Sequence, residues 1–286
     1  MRYGLTILPE HRWAEAAPLW RAAEEMGFDH AWTYDHLVWA GLPDAPWFGT
    51  TPTLTAAALV TGRVGLGTLV SSPNYRHPVT FLRDLLALDD ISGGRLICGL
   101  GTGGDLDSRI LGDALTVRQR VDRFHEFTEL LDRLLREDHV EHDGAFYRAA
   151  DARTLPGPVQ QPRIPFVIAA NGPRSLRLAA AHGAGWVTTG GRADTLEEWW
   201  SGVAELSLRL DHTLADAGRE ATSIDRYLLL DSSPVYSLDS AELFEEMAGR
   251  AGDLGFTDVI THWPRPDGVY AGDVAVLEEV ASRLLG

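Results

Sequence analysis

Short apolar runs alternate along the whole chain with longer segments in which apolar positions recur every three or four residues. The short runs fall at 3–8, 30–34, 64–71, 95–100, 166–170, 185–189, 227–232 and 258–262, and each reads as a strand. Amphipathic helices are predicted between and after them, at 13–26, 51–61, 78–90, 117–137, 174–182, 195–217, 240–254 and 274–285. This alternation argues for parallel βα units. Eight strands, each followed by a helix, predict one (β/α)8 TIM-barrel domain covering 1–286.

Local chemistry supports the boundaries. Pro78 suits a first helical turn, where its missing N–H has no partner to lose, and Gly27, Gly183 and Gly255 stand where helices end. The longest connection, 138–165, carries Asp143-Gly144 between short alternating runs, which signals a small hairpin. A second insertion, 37–50, holds Trp39, Trp47 and Phe48 among glycines and prolines. Those aromatics form either an apolar wall over a pocket or a packed surface loop.

Composition narrows the function classes. With 41 acidic and 25 basic residues, the net charge of -16 repels phosphate backbones and anionic headgroups, so neither nucleic acid nor membrane is expected as a partner. The one cysteine, Cys98, lies mid-strand as a core thiol and rules out an intramolecular disulfide. The apolar run at the start is too short for a signal peptide, and no stretch approaches about 18 uninterrupted apolar residues, so a cytoplasmic protein is expected. His139, Glu141 and His142 flank the hairpin without HExxH order and read as a solvated turn, so no metal is expected. Neither GxxxxGK[ST] nor GxSxG occurs.

Four stretches carry candidate chemistry. Asp35 and His36 follow the second strand, at the mouth of the predicted barrel, where an acid and an imidazole can act on a ligand or simply begin a loop. Residues 64–78 end a strand in small and hydroxyl groups, a floor for a planar ring or a proline-punctuated connection. Gly99 to Gly104 has dinucleotide-motif spacing, yet no helix opens at the glycines and no ribose-binding acid follows on the next strand. Those glycines still allow backbone to approach a flat ligand closely. Finally, 169–175 runs from a strand into a helix start, which binds an anion or is an ordinary cap near Asn171.

Taken in order, Gly-Phe-Asp-His-Ala-Trp-Thr-Tyr-Asp-His (27–36), Val-Gly-Leu-Gly-Thr-Leu-Val-Ser-Ser-Pro-Asn-Tyr-Arg-His-Pro (64–78), Asp-Ile-Ser-Gly-Gly-Arg-Leu-Ile-Cys-Gly-Leu-Gly-Thr-Gly (90–103) and Ala-Ala-Asn-Gly-Pro-Arg-Ser-Leu-Arg-Leu-Ala (169–179) closely resemble the bacterial luciferase-like family. Within it, the Asp-His after the second strand is similar to the branch that uses the deazaflavin coenzyme F420.

The resemblance implies a TIM barrel holding a flavin-type ring at the carboxyl ends of its strands. Carried over, Asp35 and His36 would face that ring, with His36 the acid or base; an imidazole suits the task because its unperturbed pKa lies near about 6.5. Leu69-Val70 would be a non-prolyl cis peptide bulging against one ring face, Ser72 a ring-contacting hydroxyl, and Gly101, Thr102 and Gly103 the loop beside the ring. Asn171, Gly172, Pro173 and Arg174 would hold the coenzyme's phosphate. One departure matters: where sugar-phosphate dehydrogenases of the branch carry a glutamate after Gly-Thr-Gly, this chain has Gly104 and Asp105, and it contains no lysine to bind a sugar phosphate. The implied activity is hydride transfer between F420 and a small apolar or aromatic substrate. Alternatives are a monooxygenase using reduced FMN from a partner reductase, and a non-catalytic cofactor-binding protein. A homodimer is also implied.

Overall fold

A computed structural model describes residues 1–286. Eight parallel strands close into a barrel in the order β1 (Arg2–Thr6), β2 (His30–Thr33), β3 (Gly65–Thr68), β4 (Leu96–Leu100), β7 (Phe166–Ala169), β8 (Gly185–Thr188), β9 (Asp225–Leu229) and β10 (Asp258–His262), the last pairing back onto the first. The remaining two strands, β5 (Val140–Asp143) and β6 (Arg148–Ala152), form the antiparallel hairpin signalled by Asp-Gly. Outside the barrel lie α1 (Trp13–Glu25), α2 (Thr50–Val60), α3 (Pro78–Ser92), α5 (Val117–Leu134), α6 (Pro173–His182), α7 (Leu196–Asp216), α8 (Ala241–Asp253) and α9 (Val274–Leu284). Each predicted strand and helix is present. None of the helices is long and apolar enough to cross a membrane.

Local signals explain these boundaries. Pro78 opens α3 behind His77, whose ring accepts the Val79 N–H, and Gly93 ends that helix in the left-handed region at φ 66°. Thr116 with Gln119, and Thr195 with Glu198, cap α5 and α7 reciprocally. The cap of α6 is Gly172 rather than Asn171, and Pro173 takes its first helical position.

Three details depart from the expected pattern. β3 stops at Thr68 instead of Ser71; the Leu69–Val70 peptide that follows is cis, and Ser71 meets the sheet again in a bridge to Leu100. The end of the seventh predicted strand, Leu230–Ser232, coils into a 3-10 turn. A further short helix, α4 (Asp105–Ile110), occupies a stretch with no readable period.

The main apolar core fills the layer between strands and helices, and a smaller cluster fills the upper barrel interior with Trp32, Tyr34, Leu69, Val187, Leu229 and Ile260 among others. Trp32 fits there because β3 carries Gly67 opposite it. A Cβ at Gly67 would fall 2.1 Å from the indole, so the alternating glycines of 64–68 make room for a large aromatic from the neighbouring strand. At the other end of the interior, Trp32 Nε1 donates to His30 Nδ1 at 2.6 Å, and His30 Nε2 lies 2.9 Å from Asp258. Burial raises the Asp258 carboxyl, but the His30 and Arg2 contacts outweigh it and hold it below the usual range.

Candidate active site

The carboxyl ends of the strands open on a cavity of about 620 Å3, within the about 300–1,000 Å3 common for small-molecule sites. Leu69, Val70, Ala169, Val187 and Leu229 form its apolar walls, and Trp39 closes one side from the 37–50 insertion. Trp47 packs beside Trp39 at 6.3 Å between ring centroids, whereas Phe48 turns away into a groove between α1 and α2. Its polar groups include His36, Tyr34, Tyr270, Thr102, Asn171 and Thr188. No arginine lines it.

Of the residues singled out from the sequence, His36, Leu69, Val70, Thr102, Gly103, Asn171 and Gly172 line this cavity. Val70, on the carboxyl side of the cis bond, presses against the glycine loop: a Cβ at Gly101 would fall 2.5 Å from Val70 Cγ2. Gly103 needs a left-handed φ of 72°, and a Cβ there would meet Asn74 Nδ2 at 2.3 Å. Only glycine allows this loop to lie so close to the β3 connection.

Asp35 does not face the cavity. Its buried carboxylate accepts from the Ser71 hydroxyl, from Tyr75 Oη at 2.5 Å and from Arg76 Nη2 at 2.8 Å. Burial raises the Tyr75 phenol above its ordinary range, with the Asp35 charge adding to the effect. Asp35 therefore anchors the β3–α3 connection from beneath, in place of the expected ring contact. Ser72 is likewise buried, its hydroxyl turned to the Asn74 N–H at 3.4 Å. Pro173 and Arg174 stand outside the lining, and the half-exposed Arg174 guanidinium pairs with Asp122 of α5 at 2.6 Å.

His36 lines the cavity and has a partner that sequence reasoning missed. Its Nδ1 lies 2.7 Å from Asp107 Oδ2 on α4, and the other oxygen of that buried carboxylate accepts the Leu37 N–H at 2.8 Å. Burial raises the Asp107 carboxyl, yet the His36 hydrogen bond and charge and the Leu37 and Val38 amides more than offset it, leaving it below the usual range. An ionised carboxylate only accepts, so the ring proton sits on Nδ1 and the Nε2 lone pair is left to the cavity. Asp107 thus holds His36 from α4, in the region where the glutamate pattern fails.

A second imidazole, His262 at the end of β10, was also missed. Its Nδ1 is 2.8 Å from Asp231, and its Nε2 is 2.8 Å from Tyr34 Oη on the cavity wall. For His262 the sequence signal was available, as a histidine closing the last barrel strand, which is where barrel sites are built.

The family sequence model described as luciferase-like monooxygenase matches residues 1–266. The chain belongs to that family. An F420-dependent glucose-6-phosphate dehydrogenase of Microbacterium testaceum is 33% identical over 211 residues, 71% of this chain and 59% of the relative. An F420-dependent hydroxymycolic acid dehydrogenase of Mycobacterium tuberculosis is 30% identical over 258 residues, 86% of this chain and 64% of the relative. The chain therefore spans about three fifths of the length of these curated relatives. Among solved structures, the F420-dependent tetrahydromethanopterin reductase of Methanopyrus kandleri superposes with a TM-score of 0.79 at 19% identity, covering 100% of this chain and 99% of that one. An F420-dependent secondary alcohol dehydrogenase bound to an F420-acetone adduct gives 0.80 at 16% identity, covering 98% and 97%. At these identities the two structures show the luciferase-like barrel.

Proposed function

We propose that this luciferase-like barrel is an oxidoreductase that moves a hydride between coenzyme F420 and a small organic substrate. The observation that carries this reading is His36: its Nδ1 is committed to Asp107 while its Nε2 has no protein partner, on the wall of an apolar slot at the carboxyl ends of the strands. F420-dependent relatives on the same barrel supply the choice of cofactor.

The residues present fit such a group. Leu69 and Val70, with the closely packed glycine loop 101–103, form one flat apolar wall, and Val187 and Leu229 add apolar surface to the same slot. The first turn of α6 has N–H groups without intrahelical partners beside Asn171 and Gly172, and these would hold the coenzyme's phosphate. Arg174, partly exposed next to that turn, would add positive charge by leaving Asp122. When bound, F420 supplies the carbon that accepts or donates the hydride. His36 takes up the substrate proton at Nε2, and Asp107 keeps the ring in the Nδ1-protonated tautomer and stabilises the charged form that results.

The absence of arginine from the lining and of lysine from the chain argues against a sugar phosphate and for an uncharged substrate. The direct test is separate titration of F420 and FMN against the fluorescence of the nine tryptophans, one of which, Trp39, lines the slot. Saturable quenching by F420 is expected. Preference for FMN would support a two-component monooxygenase fed by a reductase; binding of neither would overturn the cofactor assignment. F420 binding without turnover on any substrate would mark a cofactor carrier.

A further inference from the structure

The carboxylate that holds His36 stands on an element too short to hold itself. α4 has six residues, and the two that are buried, Asp107 and Ser108, are polar. Ile110 and the following Leu111 are exposed, and neither they nor Leu106 belong to the apolar core. So short a helix has little stability of its own, and this one has no apolar face to dock it. Yet His36 Nδ1 meets Asp107 only if α4 keeps its place. The element behind it is of a different kind: α5 is 18 residues long, is capped by Thr116 and Gln119, and sinks Phe124, Phe127 and Leu131 into the core. Arg123 projects from the second turn of that helix and is 9% exposed.

The two terminal nitrogens of Arg123 serve the two ends of α4. Nη2 donates to Asn74 Oδ1 at 2.7 Å. A guanidinium only donates, so the Asn74 oxygen faces it and the amide nitrogen is left to donate elsewhere: Nδ2 reaches the Gly104 carbonyl at 2.8 Å. Gly104 is the residue that caps the start of α4. Nη1 donates to Asp113 Oδ2 at 2.5 Å, and the Asp113 N–H closes the far end of α4 on the Ser108 carbonyl at 2.8 Å. Arg120, one turn earlier on α5, reinforces the first tie by pairing with Asp105 and donating to the Gly103 carbonyl at 3.4 Å. Both ends of α4 are thus referred to one buried side chain.

We propose that Arg123 is a positioning residue for the His36 site: it clamps α4 at both ends, and through α4 it sets the Asp107 carboxylate against His36 Nδ1 and the Leu37 N–H. Its meaning for turnover rests on the reading of His36 given above; the clamp itself does not depend on which cofactor binds. The planar fork is what the place requires. Lysine carries a single ammonium on a flexible stem, which can serve Asp113 or Asn74 but cannot hold both in fixed directions. The same fork steadies the cavity wall, because Gly103 is in the lining and the Gly104 carbonyl beside it is held by Asn74. Without the guanidinium both ends of α4 are released. Asp107 then no longer offers an acceptor at a fixed distance, and the His36 proton, whose place is set by that hydrogen bond, is shared between Nδ1 and Nε2.

The first test needs neither cofactor nor substrate. Nitrogen-15 NMR of the cofactor-free protein should show His36 with its proton on Nδ1 in the wild type and both tautomers in Arg123→Met. A folded Arg123→Met that keeps the proton wholly on Nδ1 would overturn the proposal, because a side chain that merely stabilises the barrel leaves the tautomer alone. Asn74→Ala and Asp113→Ala cut one tie each and decide the matter should Arg123→Met fail to fold. Each should speed amide exchange across 107–113 about tenfold while the β5–β6 hairpin exchanges as in wild type; unchanged exchange there in both would overturn the clamp. The second test is turnover with F420 and the most active of a panel of uncharged alcohols. Arg123→Met and Arg123→Lys should each lower kcat about tenfold, and adding either to Asp107→Asn should cost nothing further, because Arg123 acts through Asp107. Losses that multiply would overturn the path through Asp107, and a wild-type kcat in Arg123→Lys would overturn the two-ended clamp. Failure of the wild type to bind F420 would instead overturn the oxidoreductase reading, and the tautomer and exchange results would still decide the clamp.

Discussion

Asp107→Asn isolates the electrostatics of the His36 site because it preserves the shape of the side chain. The buried carboxylate now accepts from His36 Nδ1 at 2.7 Å and from the Leu37 amide at 2.8 Å. In the variant the amide oxygen can still accept the Leu37 N–H, which turns the amide NH2 toward His36 Nδ1. Two donors cannot face each other, so the ring proton moves to Nε2, and the cavity meets an N–H where it had met a lone pair. A hydrogen bond to a charged group contributes about 1.5–3 kcal/mol. If that interaction stabilises the charged imidazole formed during turnover, its loss lowers kcat by about 10- to 150-fold at about 1.4 kcal/mol per decade. The assay is reduction of bound F420 in a single turnover by the most active member of a panel of uncharged alcohols, alongside F420 affinity by tryptophan quenching, where a change below about threefold is expected. Nitrogen-15 NMR of the cofactor-free variant should report the moved proton. A kcat within about twofold of wild type, or an affinity loss equal to the kcat loss, would refute the assignment of Asp107 as the group that sets the His36 tautomer.

His36→Ala should reduce turnover far more than F420 affinity; equal losses would leave His36 with a binding role alone. Gly103→Ala forces a Cβ against Asn74 at a φ of 72°, a strain of about 1–2 kcal/mol from the left-handed backbone alone, so a Tm lower by several degrees and weaker F420 binding are expected. An unchanged Tm would show that the loop can move away from Asn74. Because Asp107 is held below its unfolded value, its contribution to stability is complete above the ordinary carboxyl range and is lost as pH falls through the folded value. The difference in urea midpoint between wild type and Asp107→Asn should therefore shrink between about pH 5 and about pH 2.5; a constant difference would mean that the carboxylate's charge stabilises nothing.

How much could be read beforehand follows from the range of each interaction. The barrel was legible because its strands and helices each span enough residues to show a period, and because proline and glycine mark their ends. α4 was not legible. Its six residues are too few for a period, and Asp107 is held by a side chain and amides about seventy positions away in sequence. Asp35 and His36 form one motif in the sequence but not one site in space. Adjacent side chains of extended chain leave on opposite sides, so one of the pair had to turn from the cavity, and the buried Ser71, Tyr75 and Arg76 cluster takes Asp35. Tyr270 carried no local signal at all, since its place depends on stacking between His262 and Trp39.

Two imidazoles stand beside one cavity, and only one of them opens on it. Barrel closure brings the ends of β2 and β10 to either side of β1, so the rings of His36 and His262 lie 6.2 Å and 5.4 Å from the Tyr34 ring between them. Each histidine has a buried aspartate on Nδ1, yet only His36 presents its Nε2 directly. Tyr34 and Tyr270 separate the buried His262 ring from the cavity, whereas His36 lines it. Small acids therefore have direct access to the His36 position. An added weak acid such as imidazole should restore part of the activity of His36→Ala, whose proton site is open; no rescue at any imidazole concentration would show that His36 acts by its place in the wall and not by its proton.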